Sequence, residues 1–565
     1  MGWLRGPTWW RADQRRHWAG DAVAGAVVTV LVIPQSLAYA MLAGLPPTMG
    51  LYASVWPVLA YAFLGSSQVL AVGPVAVTSL MTASALLPLA VAASPEYVAL
   101  AMGLALLSGL MLTLAGVLRL GFLAYFLSQP VISGFVSGVA ILIAIGQLPG
   151  ILGITVEGRG VAQTLLGVWQ QVQHIHVPTA ALGLGAVGVL WWARSHLARA
   201  WGRWFGAPEV GAWMARMAPL VVVLAATLIV LATGGAQALG VAVVGPIEPG
   251  LPQWQGVFLD SGQWLSLCLP ALLIALIGFV ESVSLAQAYA LQRQQRLAPN
   301  RELLGLGVAN VFSGFTGGYS VAGGFSRTVI NASAGAQTPM ASVVAALLMA
   351  GVMLGFSQAF EVLPVAVLSA SILVSVLTLI DVQTLRQAWR YDTADAWSWV
   401  ATFAGVLVAG VEIGIGMGVV LSLAVLVWRS SRPHMAVVGR IAGTEHFRNI
   451  ERHRVETLPG LIALRVDESL FFANAAALEA KVGDLLTQHS DTRCLLLILS
   501  AVNRIDTTAL IMLDELERSL TLKGVQLWLA EVKGPVMDRL GSTDVGQRLA
   551  SRIYLSTNEA FNAHR

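Results

Sequence analysis

Two stretches decide how this chain is read. Residues 69–81 run VLAVGPVAVTSLM, and residues 317–335 run GGYSVAGGFSRTVINASAG. Each lies among long apolar runs. Each opens as extended, glycine-containing backbone and then turns helical, one at or after Pro74 and the other after Gly324. Non-helical backbone at membrane depth survives only where protein or a water-filled cavity covers it. A helix that starts inside the bilayer presents free N–H groups and the positive end of its dipole, and two such ends facing each other make an anion site. The stretches stand about 250 residues apart. Paired broken segments in corresponding halves point to a transporter site near the bilayer midplane. The competing reading is that the glycines only allow close helix packing.

The composition around them is that of a membrane domain followed by a soluble one. Of 565 residues, 56% are hydrophobic and 11% charged, with a mean hydropathy of +0.73; an ordinary globular chain is about a quarter charged. Up to Arg432 there are 18 Arg, no Lys and 14 acidic residues, about 7% charged; from Pro433 there are 12 Arg, 3 Lys and 16 acidic residues, about 23%. Seventeen of the 18 tryptophans precede Pro433. The expected organisation is a cytoplasmic N-terminal segment (1–19), a transmembrane domain (20–432), a linker (433–459) and a cytosolic domain (460–565). Disordered, collagenous and disulfide-stapled classes are excluded. No basic run suggests nucleic acid as a partner, and no catalytic triad, metal cluster or cofactor fingerprint suggests an enzyme. Cys268 falls in a span and Cys494 in a cytosolic domain, so no structural disulfide is expected.

A span needs about 20 mostly apolar residues. Eleven clear runs between about residues 20 and 428, with weaker segments at about 74–92, 302–316 and 322–337, predict about fourteen spans in a polytopic α-helical membrane protein. With the N-terminus inside, 16 of the 18 arginines before Pro433 fall on the cytoplasmic side, as the positive-inside rule requires. Arg159 falls outside, and only Arg327 falls in the membrane. The first and eighth spans start near Gly20 and Trp264. Seven spans per half is an odd number, so the halves are expected as inverted repeats.

Residues 21–67, DAVAGAVVTVLVIPQSLAYAMLAGLPPTMGLYASVWPVLAYAFLGSS, resemble the N-terminal signature of the sulfate permease (SulP) family of anion transporters. VGPVA at 72–76, Glu281 with Ser282, and residues 310–338 with their GGFSRT also match that family's pattern. The tail resembles a STAS domain. The resemblance implies seven plus seven inverted spans in core and gate domains, a homodimer, and elevator-type movement of core against gate. It also implies a substrate site between the third and tenth spans, walled by the first. Carried onto this sequence, that site holds Gln35 and Tyr39 from the first span, Val75 and Ala76 from the third, and Gly324, Phe325, Ser326, Arg327 and Thr328 from the tenth. Some relatives carry an aromatic residue where Val75 stands; the wider pocket expected here disfavours a halide.

Each residue also has a plainer reading. Gln35, next to Pro34 in an apolar run, needs partners: an oxyanion, or a neighbouring helix. Tyr39, one turn on, either lines the pocket or packs in the core. Ser326, Arg327 and Thr328 open a helix with hydroxyls and a guanidinium that suit an oxyanion; otherwise Arg327 turns away and pairs structurally. Glu281, in IALIGFVESVSLAQAYA, is a carboxylate whose charged form burial disfavours. A proton-coupling role, a salt bridge to Arg327, and a sodium site shared with Ser282 all stay open. Glu361 and Glu412 are read as structural span-end charges. The Trp- and Arg-rich residues 193–216 read as a cytoplasmic interfacial helix, and His174 with His176 as an H-x-H pair short of the ligands a metal needs.

In the tail, alternation at Leu461–Val466, a helix near 472–486, an apolar run at 495–499, a helix near 510–520 and a strand near 525–532 make a small α/β domain. AVNRIDTTAL, residues 501–510, sets Asp506, Thr507 and Thr508 at a strand-to-helix turn. It resembles the STAS loop that carries a phosphorylatable Ser or Thr; helix capping by Asp506 is the alternative. The whole predicts a multi-pass inner-membrane secondary transporter of oxyanions (sulfate, bicarbonate or a C4-dicarboxylate). Its expected partners are the anion, a co-transported proton or sodium, the lipid bilayer, a second copy of the chain, and a cytosolic protein met through the STAS domain; no cofactor is expected. A sodium-coupled bicarbonate transporter, a passive anion channel and a STAS-based signalling protein are the alternatives.

Overall fold

A computed structural model of the chain describes residues 17–125, 128–156, 160–197, 208–234, 238–247 and 249–565. The N-terminal arginines, Arg159 and residues 198–207 of the Trp-rich 193–216 stretch lie outside the described residues. Two compact units divide between Ser422 and Leu423, ten residues before the change in composition.

The first unit is helical: α1 (Trp18–Leu42), α2 (Trp56–Leu64), α3 (Ala76–Leu86), α4 (Pro95–Val117), α5 (Gln129–Gly146), α6 (Val177–Trp192), α7 (Pro208–Thr233), α8 (Ser261–Gln292), α9 (Pro299–Phe315), α10 (Phe325–Ser333), α11 (Met340–Gly355), α12 (Val365–Val376), α13 (Thr393–Ala409) and α14 (Val411–Ser431). Among the described residues, six helical stretches are long and apolar enough to cross a membrane, and five shorter ones are apolar. Local chemistry sets their ends. Ser94 caps α4 by accepting from Tyr97 N, ahead of Pro95 at the first helical position. Asp260 and Gln263 make a capping box at the start of α8.

Packing is reciprocal between the halves. The first helix of each half lies on the fourth of the other, α1 on α11 and α8 on α4. The second does the same, α9 on α4 and α2 on α11, and the fifth lies on the sixth, α5 on α13 and α12 on α6. The α4–α9 crossing is tight because glycines line it. A Cβ on Gly109 would lie 2.7 Å from Gly307 O, and one on Gly307 2.6 Å from Thr113 N.

The second unit holds a six-stranded sheet ordered β4-β3-β5-β6-β7-β8, formed by β3 (Met435–Arg440), β4 (Phe447–Asn449), β5 (Leu461–Val466), β6 (Cys494–Ile498), β7 (Gln526–Ala530) and β8 (Ile553–Tyr554). Strands β5 to β8 are parallel, and β3 pairs antiparallel with both β4 and β5. Residues 433–459, expected as a linker, therefore supply two strands. The alternation of MAVVGR turns Ala436 and Val438 inward, and both are buried. Helices α15 (Ala475–Gln488) and α16 (Thr507–Leu522) pack on one face through Leu478, Val482, Leu513 and Leu520.

Candidate functional site

The two broken stretches meet. Val72–Gly73 (β1) and Ala322–Gly323 (β2) form an antiparallel ribbon, Val72 opposite Gly323 and Gly73 opposite Ala322. Gly324 N adds a bond to Ala71 O at 3.1 Å. Side chains claim the surrounding backbone groups, which lipid could not satisfy. Asn310 brackets Val321, donating to its carbonyl at 2.8 Å and accepting from its N–H at 2.9 Å. Ser282 Oγ accepts from Gly323 N at 2.8 Å, and Asn331 Nδ2 donates to Val69 O at 3.0 Å.

Helix α3 starts after extended Val75, and α10 after extended Gly324. The first intrahelical donors are Ser79 N, bonded to Val75 O, and Thr328 N, bonded to Gly324 O. The N–H groups before them are the orphans of a helix start. Both starts line a cavity of about 340 Å3. Gln35 and Tyr39 border it from α1, Val75 and Ala76 from the start of α3, Glu281 from α8, and Gly324, Phe325, Ser326 and Arg327 from the start of α10. Gln35 Nε2 donates to Tyr39 Oη at 2.8 Å, so the two residues act as one wall.

Thr328 is the exception. It is fully buried away from the cavity, and its Oγ1 accepts from Ala71 N at 3.0 Å. Two positions after Ser326 on a helix, it points to another side and braces the ribbon. Arg327 combines both readings. It borders the cavity, but its guanidinium lies over Gly73, where a Cβ would collide with Nη1, and Nη2 donates to Ser36 Oγ at 2.9 Å. Glu281 Oε2 is buried without a protein partner, and no ion pair joins it to Arg327 among the described residues. The Ser282 hydroxyl is already engaged, by Gly323 N and by Gly278 O.

Several structural carboxylates and one cavity residue escaped the sequence. Glu302, fully buried, accepts from Tyr61 Oη (2.7 Å), Ser66 N (2.7 Å), Ser66 Oγ (2.6 Å) and Ser67 N (2.9 Å), fixing the loop that leads to β1. Asp21, also fully buried, accepts from Gln337 N (2.6 Å) and Thr338 Oγ1 (2.6 Å), fixing the loop that follows α10. Arg194 borders the cavity as well; nothing in its basic stretch distinguishes it from the topology-setting arginines. Glu361 Oε1 accepts from Ile247 N at 3.1 Å, a structural contact. His176 Nδ1 is 2.7 Å from Thr179 Oγ1.

In the second unit, Asp506 caps α16. Its carboxylate accepts from Ala509 N at 2.8 Å and Phe472 N at 2.9 Å. The Ala509 N–H above all holds the Asp506 carboxyl below the usual range. Thr507 and Thr508 stand exposed beside it. Burial pushes the Cys494 thiol up to about 12.

Known proteins resemble this chain over most of its length. Residues 18–402 match the sulfate permease family and residues 452–560 the STAS domain. A "probable sulfate transporter" of Mycobacterium tuberculosis (strain H37Rv) is 34% identical over 568 residues, covering 100% of this chain and 98% of the relative. Sulfate transporter 3.1 of Arabidopsis thaliana is 32% identical, covering 97% of this chain and 85% of the relative. The inward-facing murine solute carrier 26 member A9 anion transporter superposes with a TM-score of 0.86 at 23% identity, over 96% of this chain and 90% of that one. The transmembrane domain of a cyanobacterial bicarbonate transporter superposes with 0.59 at 23% identity, over 72% of this chain and 98% of that one.

Proposed function

The chain belongs to the sulfate permease family and carries a C-terminal STAS domain, and on that premise we propose that it is a secondary active transporter of small oxyanions. Sulfate, bicarbonate and C4-dicarboxylates are the candidate substrates, with a proton as the coupled ion. One observation carries the reading: two helices begin at a shared ribbon, and both starts, with Arg327 between them, border one cavity. Orphan N–H groups and helix dipoles favour an anion there. About 340 Å3 is room for a small ligand with water around it. Glu281, with one oxygen unpartnered at the cavity wall, is the proton-carrying group. A proton taken up there cancels a negative charge as the anion enters. The engaged Ser282 hydroxyl speaks against the sodium alternative at this position.

The proposed arrangement is a multi-pass inner-membrane protein of about fourteen spans, as seven plus seven inverted repeats with core and gate parts. The N-terminus and STAS domain are cytoplasmic, the protein is a homodimer, and the core moves in elevator fashion. Reciprocal packing of the halves supports the repeat. Phosphorylation of exposed Thr507 or Thr508 is proposed as regulatory. The test is uptake of labelled sulfate, bicarbonate, succinate and chloride into proteoliposomes, with proton and sodium gradients imposed separately. Oxyanion uptake accelerated by an inward proton gradient is expected. No uptake of any of them by folded protein refutes the reading.

A further inference from the structure

Behind the transport cavity lies a second, much smaller one of about 20 Å3. Arg327 borders both. The small cavity is otherwise lined from α1, α2, β1, α11 and the residues just before α2 and β1, and Asn331, Thr29, Ser54 and Ser342 supply its polar lining. Arg327 is 3% exposed and Asn331 2%. They stand four residues apart on α10, on one helical face. Each has one buried polar atom without a protein partner: the Nε–H of Arg327, a donor, and the Oδ1 of Asn331, an acceptor. The other ends are committed, Arg327 Nη2 to Ser36 Oγ and Asn331 Nδ2 to Val69 O.

We propose that this cavity is a one-water site, whose water accepts from Arg327 Nε–H and donates to Asn331 Oδ1, and that Asn331 is thereby a positioning residue for the guanidinium at the transport site. The size fits: one water needs roughly 10–15 Å3 of such volume and two to four polar partners, and a tetrahedral oxyanion is too large. The chemistry also selects water. A cation would face the guanidinium, and an anion would face the Asn331 carbonyl oxygen. A water satisfies a donor and an acceptor together. Ser54 Oγ, itself 3.0 Å from Ser36 Oγ, extends the network to the group that holds Nη2. The guanidinium is thus held on two sides, by Ser36 directly and by Asn331 through the water. The site itself stands on the geometry; its effect on transport rests on the oxyanion-transport reading.

Two measurements test it. A structure of the full-length protein in lipid, at a resolution that shows ordered water, should place one density within hydrogen-bond distance of both Arg327 Nε and Asn331 Oδ1. An empty cavity overturns the site. Ser342→Val, which takes up the cavity's space while leaving Arg327 and Asn331 in the sequence, should raise the KM for sulfate about tenfold, the loss of one hydrogen bond to a charged group. The kcat and the yield of folded protein should stay unchanged. A packing role alone would lower the folded yield and leave KM in place, and an unchanged KM overturns the positioning role. Wild-type protein that carries no oxyanion sinks the transport reading and leaves the water site to be judged by the density.

Discussion

Removing the Glu302 carboxylate tests whether the first broken segment is held by a single buried charge. Glu302 is fully buried and takes four hydrogen bonds, from the Tyr61 hydroxyl, two backbone N–H groups and the Ser66 hydroxyl. Tyr61 is itself only 2% exposed. Glu302→Ala strands these donors, two of which, the Tyr61 hydroxyl and Ser67 N, are buried. Each bond to a charged group is worth about 1.5–3 kcal/mol. Leaving a buried donor unsatisfied costs about 1–3 kcal/mol. That cost falls on the Tyr61 hydroxyl and on Ser67 N, whereas the loop at Ser66 can relax and recover part of the loss. A cost of about 4 kcal/mol lowers the folded-to-unfolded ratio roughly a thousandfold. Glu302→Gln keeps one acceptor oxygen, and the Tyr61 hydroxyl can turn to accept from the new amide, so about 1–3 kcal/mol is expected. The assay is equilibrium unfolding of the purified protein in mixed micelles, followed by tryptophan fluorescence. The order wild type, Gln, Ala is expected, with sulfate uptake per folded molecule falling along it. An alanine variant within about 0.5 kcal/mol of wild type would refute the clamp.

Three further outcomes are expected. Gly73→Ala strains a residue whose φ is +157° and drives a Cβ into Arg327 Nη1, so the folded fraction should fall and sulfate uptake per folded molecule at low concentration should drop at least about tenfold; wild-type uptake would show that the guanidinium's place does not matter. Glu281→Gln should remove the acceleration of uptake by an inward proton gradient, and full retention of that acceleration would end its coupling role. Asp506 has a depressed carboxyl pKa when folded, so its contribution is present above the ordinary carboxylate value near 4 and is lost as pH falls through the folded value. Amide exchange protection across residues 507–512 should hold from neutral pH to about 5 and decline below about 4, whereas Asp506→Asn should be flat across that window.

Much of the site was legible because polar residues and glycines inside apolar runs are costly and therefore informative. Gln35, Glu281 and the two segments around Gly73 and Gly324 stood out for that reason, and all border the cavity or form its ribbon. Thr328 could not be separated from Ser326 by residue type; only the register of α10 turns one to the cavity and the other to Ala71. Asp21 and Glu302 resembled ordinary span-end charges, because their partners lie more than 200 positions away in the chain. The strands β3 and β4 were hidden by position: MAVVGR follows a long apolar helix directly and is flanked by charges, so its alternation looked like a tether.

The ribbon between β1 and β2 also bears on how the two halves depend on each other. Each of the two stretches interrupts helix with extended backbone and thereby exposes peptide groups that lipid cannot satisfy. The opposing strand of the other half, running the opposite way, satisfies part of them, and Asn310, Ser282 and Asn331 satisfy others. Neither half therefore satisfies this stretch of backbone by itself. The same seam ties the two helix starts that border the cavity into one jaw, so whatever moves one of them carries the other with it.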